Sequence, residues 1–108
     1  SIVIHLLKGG NVNFAATGNG GAGGYTYKFI VYNKTTKQWA KLKDFCAVNK
    51  LTWKAGSAGE RQFYVDVKDS NGTVVRSQVL NVKQQNSFYR RAKSDIWIVI
   101  YPVLKVPL

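Results

Sequence analysis

The chain has 108 residues, enough for one domain with a single core, and its 45% apolar content is that of a folded protein rather than a disordered one. Sixteen basic residues face five acidic ones, a formal charge of +11, so the surface carries a positive field that attracts polyanions such as nucleic acid, anionic lipid or wall polymers. The single cysteine, Cys46, excludes an internal disulfide, and no apolar run approaches the ~20 residues that a membrane-spanning helix needs.

Ile2 to Leu7 is a short apolar run that predicts a first strand. His5 lies inside it without a second histidine or a neighbouring acid, so it reads as a strand residue and not as a ligand. Lys8 to Asn11 turns the chain. Val12, Phe14 and Ala16 then alternate with Asn11, Asn13 and Ala15, the period of two that a strand shows when one face is buried. Gly18 to Gly24 holds five glycines in seven residues, which can adopt positive φ and cannot propagate a helix. A phosphate-cradling loop would carry Gly-Lys-Ser/Thr into a helix, whereas these glycines run straight into a strand, so a bend is expected and not a nucleotide site. In that strand Tyr25, Tyr27, Phe29 and Val31 form a wholly apolar, buried face. Thr26, Lys28, Ile30 and Tyr32 form a mixed one.

Asn33 to Lys37 is a polar turn of hairpin length. In Gln38 to Lys43 the alternation puts Trp39, Lys41 and Lys43 on one side and Ala40 and Leu42 on the other. Cys46, among Phe45, Ala47 and Val48, reads as a small core residue. Lys50 to Lys54 predicts a strand with Leu51 and Trp53 inward, and Ala55 to Gly59 interrupts the chain. Arg61 to Asp69 places Phe63, Val65 and Val67 on one face and Tyr64, Asp66 and Lys68 on the other. Asp69-Ser70-Asn71-Gly72 is the strongest turn signal, since Asn-Gly between strands favours a tight hairpin. The return strand, Thr73 to Lys83, alternates less cleanly.

About seven short strands with regular turns and no helical periodicity predict an all-β, antiparallel sandwich over residues 1–83. Residues 84–94 read as a basic, polar connection. Residues 95–108 then turn almost wholly apolar, and Ile96, Trp97, Ile98, Val99, Ile100 and Tyr101 predict a strand buried on both faces. It would either close an edge of its own sheet or add to the sheet of a partner chain, giving a homo-oligomer. Pro102 and Pro107 confine the paired part to the first half, because proline cannot donate to a ladder.

One histidine, one cysteine and five scattered acids offer no nucleophile, base and orienter, and no paired carboxylates, so no catalytic residue, metal or cofactor is expected. The acidic turn at 69–72 lacks the further ligands of a calcium loop. What remains is a basic stretch. Lys28, Lys34, Lys37, Lys41 and Lys43 with Trp39 among them form a candidate ligand-binding face, since rings between lysines serve sugar or single-strand stacking. The competing reading makes Trp39 and Trp53 core anchors and leaves the lysines as a solvated face.

Gly23 to Phe29 (GGYTYKF), Trp39 after a short turn, Leu51-Thr52-Trp53, Ala58-Gly59 and Val65 to Gly72 (VDVKDSNG) occur in an order that resembles the three-tyrosine (triple-tyrosine motif) repeat of Gram-positive, clostridial surface and secreted proteins. The resemblance covers roughly residues 10–82. Arg61 stands where that pattern has an aromatic, so a tyrosine-corner hydrogen bond is not available there. The resemblance implies an immunoglobulin or fibronectin-like sandwich, extracellular or on a bacterial cell surface, serving as a non-catalytic spacer or adhesin among neighbouring domains. Its basic face would meet an anionic cell-wall polymer or polysaccharide. Assembly into a fibre through the C-terminal strand is the alternative, and a nucleic-acid-binding module comes third because no nucleic-acid motif is present.

Overall fold

Residues 12–16, 25–32 and 61–69, where apolar and polar side chains alternate most cleanly, supply the interior of two facing sheets. The computed structural model describes residues 3–7, 11–54, 59–85, 96–100 and 103–104, and among these every regular element is a strand. In chain order they are β1 (Val3–Leu7), β2 (Asn11–Ala16), β3 (Asn19–Gly20), β4 (Thr26–Asn33), β5 (Gln38–Cys46), β6 (Lys50–Lys54), β7 (Gly59–Lys68), β8 (Val74–Arg76), β9 (Leu80–Gln85), β10 (Ile96–Ile100) and β11 (Val103–Leu104). One sheet runs β1-β9-β7-β4-β5 with β8 beside β7, and the second runs β10-β2-β6. A two-residue ladder joins β11 to β3.

Five pairings are antiparallel, as expected: β4 with β5 and β7, β7 with β8 and β9, and β2 with β6. Three pairings are parallel and were not foreseen, β1 with β9, β10 with β2 and β11 with β3. No tight hairpin ties these strands to their partners, so turn geometry does not dictate their direction. Of the expected turns at 8–11 and 55–59, residues 8–10 and 55–58 lie outside the described residues, as do 86–94 of the expected connection and Tyr101, Pro102 and Pro107.

Val12, Phe14 and Ala16 of β2 pack against Tyr27, Phe29 and Val31 of β4, Phe63, Val65 and Val67 of β7 and Val82 of β9. Phe14 bridges the layers, its ring 4.8 Å from Phe63 and 6.5 Å from Phe29, and Trp53 of β6 meets Phe63 edge-on at 4.9 Å. The core therefore lies between the sheets, as in a sandwich.

The glycine loop is a bend, held by the tyrosines that follow it. Gly18 donates its N–H to Tyr27 Oη at 3.2 Å, and Tyr25 Oη donates to the Gly20 carbonyl. A Cβ on Gly18 would meet the Tyr25 ring at 2.7 Å, so this close approach requires glycine.

Four local expectations are corrected. The return strand breaks into β8 and β9 because Ser77 enters the ladder: its Oγ accepts the Val65 N–H at 2.9 Å while its own N–H donates to the Val65 carbonyl at 2.8 Å. The turn at 69–72 is wider than a two-residue Asn-Gly hairpin. Gly72 takes φ 82°, Asn71 stays out of the left-handed region, and the Gly72 N–H donates to the Asp69 carbonyl at 3.0 Å. β9 continues past Lys83 to Gln85, with Gln84 at 2% exposure, so the polar connection begins later than its composition indicates. Cys46, at the end of the edge strand β5, is half-buried and outside the core cluster.

The β4–β5 turn contains one strained residue. Lys37 has φ 57°, the only non-glycine with positive φ among the described residues, while Asn33 Oδ1 collects the N–H groups of Thr35 and Thr36. Lys37→Gly is expected to raise stability by roughly 0.5–1 kcal/mol, since glycine occupies this region without a Cβ clash. Urea unfolding reads the change, and an unchanged or lower midpoint would show that the turn tolerates lysine without strain.

Candidate binding face

Cross-strand neighbours share a face of a sheet. The registers set Tyr32 opposite Trp39, Ile30 opposite both Lys41 and Tyr64, and Asp66 opposite both Lys28 and Arg76. These residues define the outward face of β5-β4-β7-β8, turned away from the core. Trp39 packs against Tyr32 with ring centroids 4.4 Å apart and planes tilted by 43°, and meets Tyr64 edge-on at 5.5 Å. Ile30 and Tyr64 beneath are buried, yet Trp39 remains 58% exposed. Trp39 is thus not a core anchor. Trp53 is one, with the Arg61 guanidinium 5.1 Å over its ring.

Arg76 fixes the far end of the row. Its guanidinium lies 4.1 Å over the Tyr64 ring and donates from Nε and Nη2 to the two oxygens of Asp66 at 2.9 and 3.2 Å. Burial pushes the Tyr64 hydroxyl above its ordinary pKa, and the Asp66 hydrogen bond raises that of Arg76. The phenol is therefore neutral and the guanidinium charged at neutral pH.

The expected lysine set divides. Lys28 and Lys41 share the outward face with Trp39. Lys28 Nζ lies 5.6 Å over Phe45, a ring that Lys68 also covers at 4.2 Å. Lys41 pairs with Asp44 at 3.0 Å, and this hydrogen bond, followed by the Phe45 N–H, holds the Asp44 carboxyl below its ordinary pKa. Lys34 and Lys37 occupy the β4–β5 turn, Lys34 beside Glu60 at 3.6 Å. Lys43 leaves the face. The register slips between Ile30↔Lys41 and Phe29↔Lys43, a bulge that turns Lys43 toward the core side, where Nζ reaches the Lys50 carbonyl of β6 at 3.5 Å.

Tyr32, Tyr64 and Arg76 belong to this face and were missed as site residues. The period of two already pointed Tyr32 and Tyr64 outward, but joining them to Arg76 needs the pairing of β8 with β7. Residues 96–100 of the expected self-association strand lie along Val12–Ala16 of their own chain, and Val103–Leu104 along Asn19–Gly20. Among the described residues no group of three or more His, Cys, Asp or Glu is placed to hold a metal, and no helix is long and apolar enough to cross a membrane. Comparison with protein-family models, curated proteins and solved structures found no match to this chain.

Proposed function

We propose that this chain is a non-catalytic, immunoglobulin-like module of a bacterial surface or secreted protein, a spacer or adhesin that holds an anionic cell-wall polymer or polysaccharide on its outward face. The observation that carries this reading is Trp39, exposed at 58% on a formed sheet face, with Lys41 two residues along β5 and Lys28 farther along the same face on β4. Two further facts support it. The order β9-β7-β4-β5 opposite β2-β6, with β1 parallel to β9, is compatible with immunoglobulin-like connectivity. The charge of +11 favours a polyanionic partner. Co-sedimentation with purified Gram-positive cell wall is expected at low ionic strength and should decline toward ~0.5 M salt as exposed charges are screened. Binding indifferent to salt, or none at any salt, removes the electrostatic attachment.

A second reading, assembly of copies through the C-terminal strand, is favoured by one observation. β10 sits at a sheet edge beside β2, joined to β9 by residues 86–95, a length that spans on the order of 30 Å when extended. The same ladder can therefore form with a neighbouring copy. Full-length chain should then self-associate with concentration, while deletion of 95–108 leaves a folded monomer. A monomeric full chain and an unfolded deletion would make β10 solely a strand of its own domain.

A further inference from the structure

We infer that Trp39 is the stacking position of a saccharide subsite on the outward face: its indole receives the apolar face of one pyranose ring, and Lys41 receives the acid group of the neighbouring unit. This names the ligand class of the polymer-binding reading above and rests on it.

Three observations lead there. An indole with 58% of its surface in water, on a face where Ile30 and Tyr64 beneath it are buried, is contact area left available. Its orientation is also set before any ligand arrives. Tyr32 supports it at 4.4 Å, Tyr64 at 5.5 Å, and Tyr64 is itself clamped beneath Arg76, which Asp66 holds through two hydrogen bonds. A ring held in place loses little freedom on binding. Finally, Lys41 lies two residues farther along β5, about 7 Å at the usual strand rise, which matches the spacing of adjacent sugar units in order of magnitude. The Lys41–Asp44 pair is exposed at 52% and 65%, and such pairs contribute little, so an incoming acid group can displace Asp44.

The number of platforms decides between sugar and nucleic acid. Single strands are held by successive bases on successive rings along a basic groove. On this face Tyr64 is buried and Tyr32 half-buried, which leaves Trp39 as the exposed ring of the trio, suited to one stacked unit.

The test titrates the full chain, by calorimetry at low and ~0.5 M salt, with a short polygalacturonate, a chitin oligomer as neutral glycan, and an oligothymidylate. Trp39→Ala, Trp39→Phe and Lys41→Ser are compared with the wild type, and thermal unfolding checks each fold. The polygalacturonate should bind best. Trp39→Ala should weaken it at least about 10-fold at both salts, Trp39→Phe should keep most of the affinity, and Lys41→Ser should act only at low salt. If Trp39→Ala binds like the wild type while Lys41→Ser weakens binding, the stacking subsite is overturned and the electrostatic reading stands. If the wild type binds neither polygalacturonate nor cell wall, both fall. Equal affinity for the neutral oligomer overturns the assigned role of Lys41, and tighter, Trp39-dependent binding of oligothymidylate overturns the saccharide.

Discussion

Phe14→Ala is expected to destabilise the protein by about 3–5 kcal/mol, enough to leave a chain of this size near the edge of folding. Phe14 is 1% exposed and sits on β2, the middle strand of its sheet, between β6 and β10. Its ring makes contact across the layers, 4.8 Å from Phe63 and 6.5 Å from Phe29. Two sheets cannot close over a missing benzyl group without sliding their backbones, so a cavity is left and its cost adds to the lost burial. An exposed control, Thr36→Ala, should stay within about 0.5 kcal/mol of the wild type. Urea unfolding followed by tryptophan fluorescence gives both values. A loss below about 1 kcal/mol for Phe14→Ala would mean that the sheets are not joined through this ring.

How much of this was legible in the sequence differs by residue. The inward sets on β2, β4 and β7 could be read directly, because a period of two with β-branched and aromatic side chains has one physical meaning when one face is buried. Tyr27, Phe29, Val31, Phe63, Val65 and Val67 all lie in the core as the alternation places them. Lys43 could not be placed by counting, since one slipped residue reverses every face beyond it and the bulge in β5 follows from tertiary packing. The break at Ser77 is similar: a serine that replaces a backbone partner of Val65 looks in sequence like any polar strand residue. Trp39 and Trp53 illustrate the limit for the site. Both are tryptophans in strands between lysines, yet Trp53 packs on Phe63 and Trp39 lies on the far side of the six-stranded sheet. Only pairing separates them. Tyr32, Tyr64 and Arg76 sit on β4, β7 and β8, and no local pattern joins residues so far apart along the chain.

Removing Asp69 should lower the melting temperature at pH 7 by roughly 10 °C, and changing it to asparagine should flatten the acid limb of the stability profile. Asp69 is 6% exposed and joins two loops distant in sequence. Its Oδ2 accepts the Ala22 N–H of the glycine loop at 3.0 Å, and its Oδ1 accepts those of Asn71 and Thr73 at 2.9 Å each. Ser70 adds a backbone bond to Gly23 at 2.8 Å, so the loop before β4 and the turn after β7 form one end of the molecule. The Ala22 N–H, with those of Thr73 and Asn71, holds the carboxyl below its ordinary pKa against the opposing effect of burial. A depressed folded-state value means that the unfolded chain takes up the proton first as pH falls. The stabilisation is therefore complete above the unfolded carboxylate pKa of about 3.9 and disappears as pH falls through the lower folded value. Wild-type melting temperature should decline from about pH 5 downward, while Asp69→Asn starts lower and declines less over that interval. Asp44, also depressed, is present in both proteins and drops out of the difference. Asp69→Ala should also abolish exchange protection of the Ala22 amide while leaving β4 protected. If the wild-type and Asp69→Asn profiles run parallel from pH 6 to about pH 3, the carboxylate does not hold the two loops together.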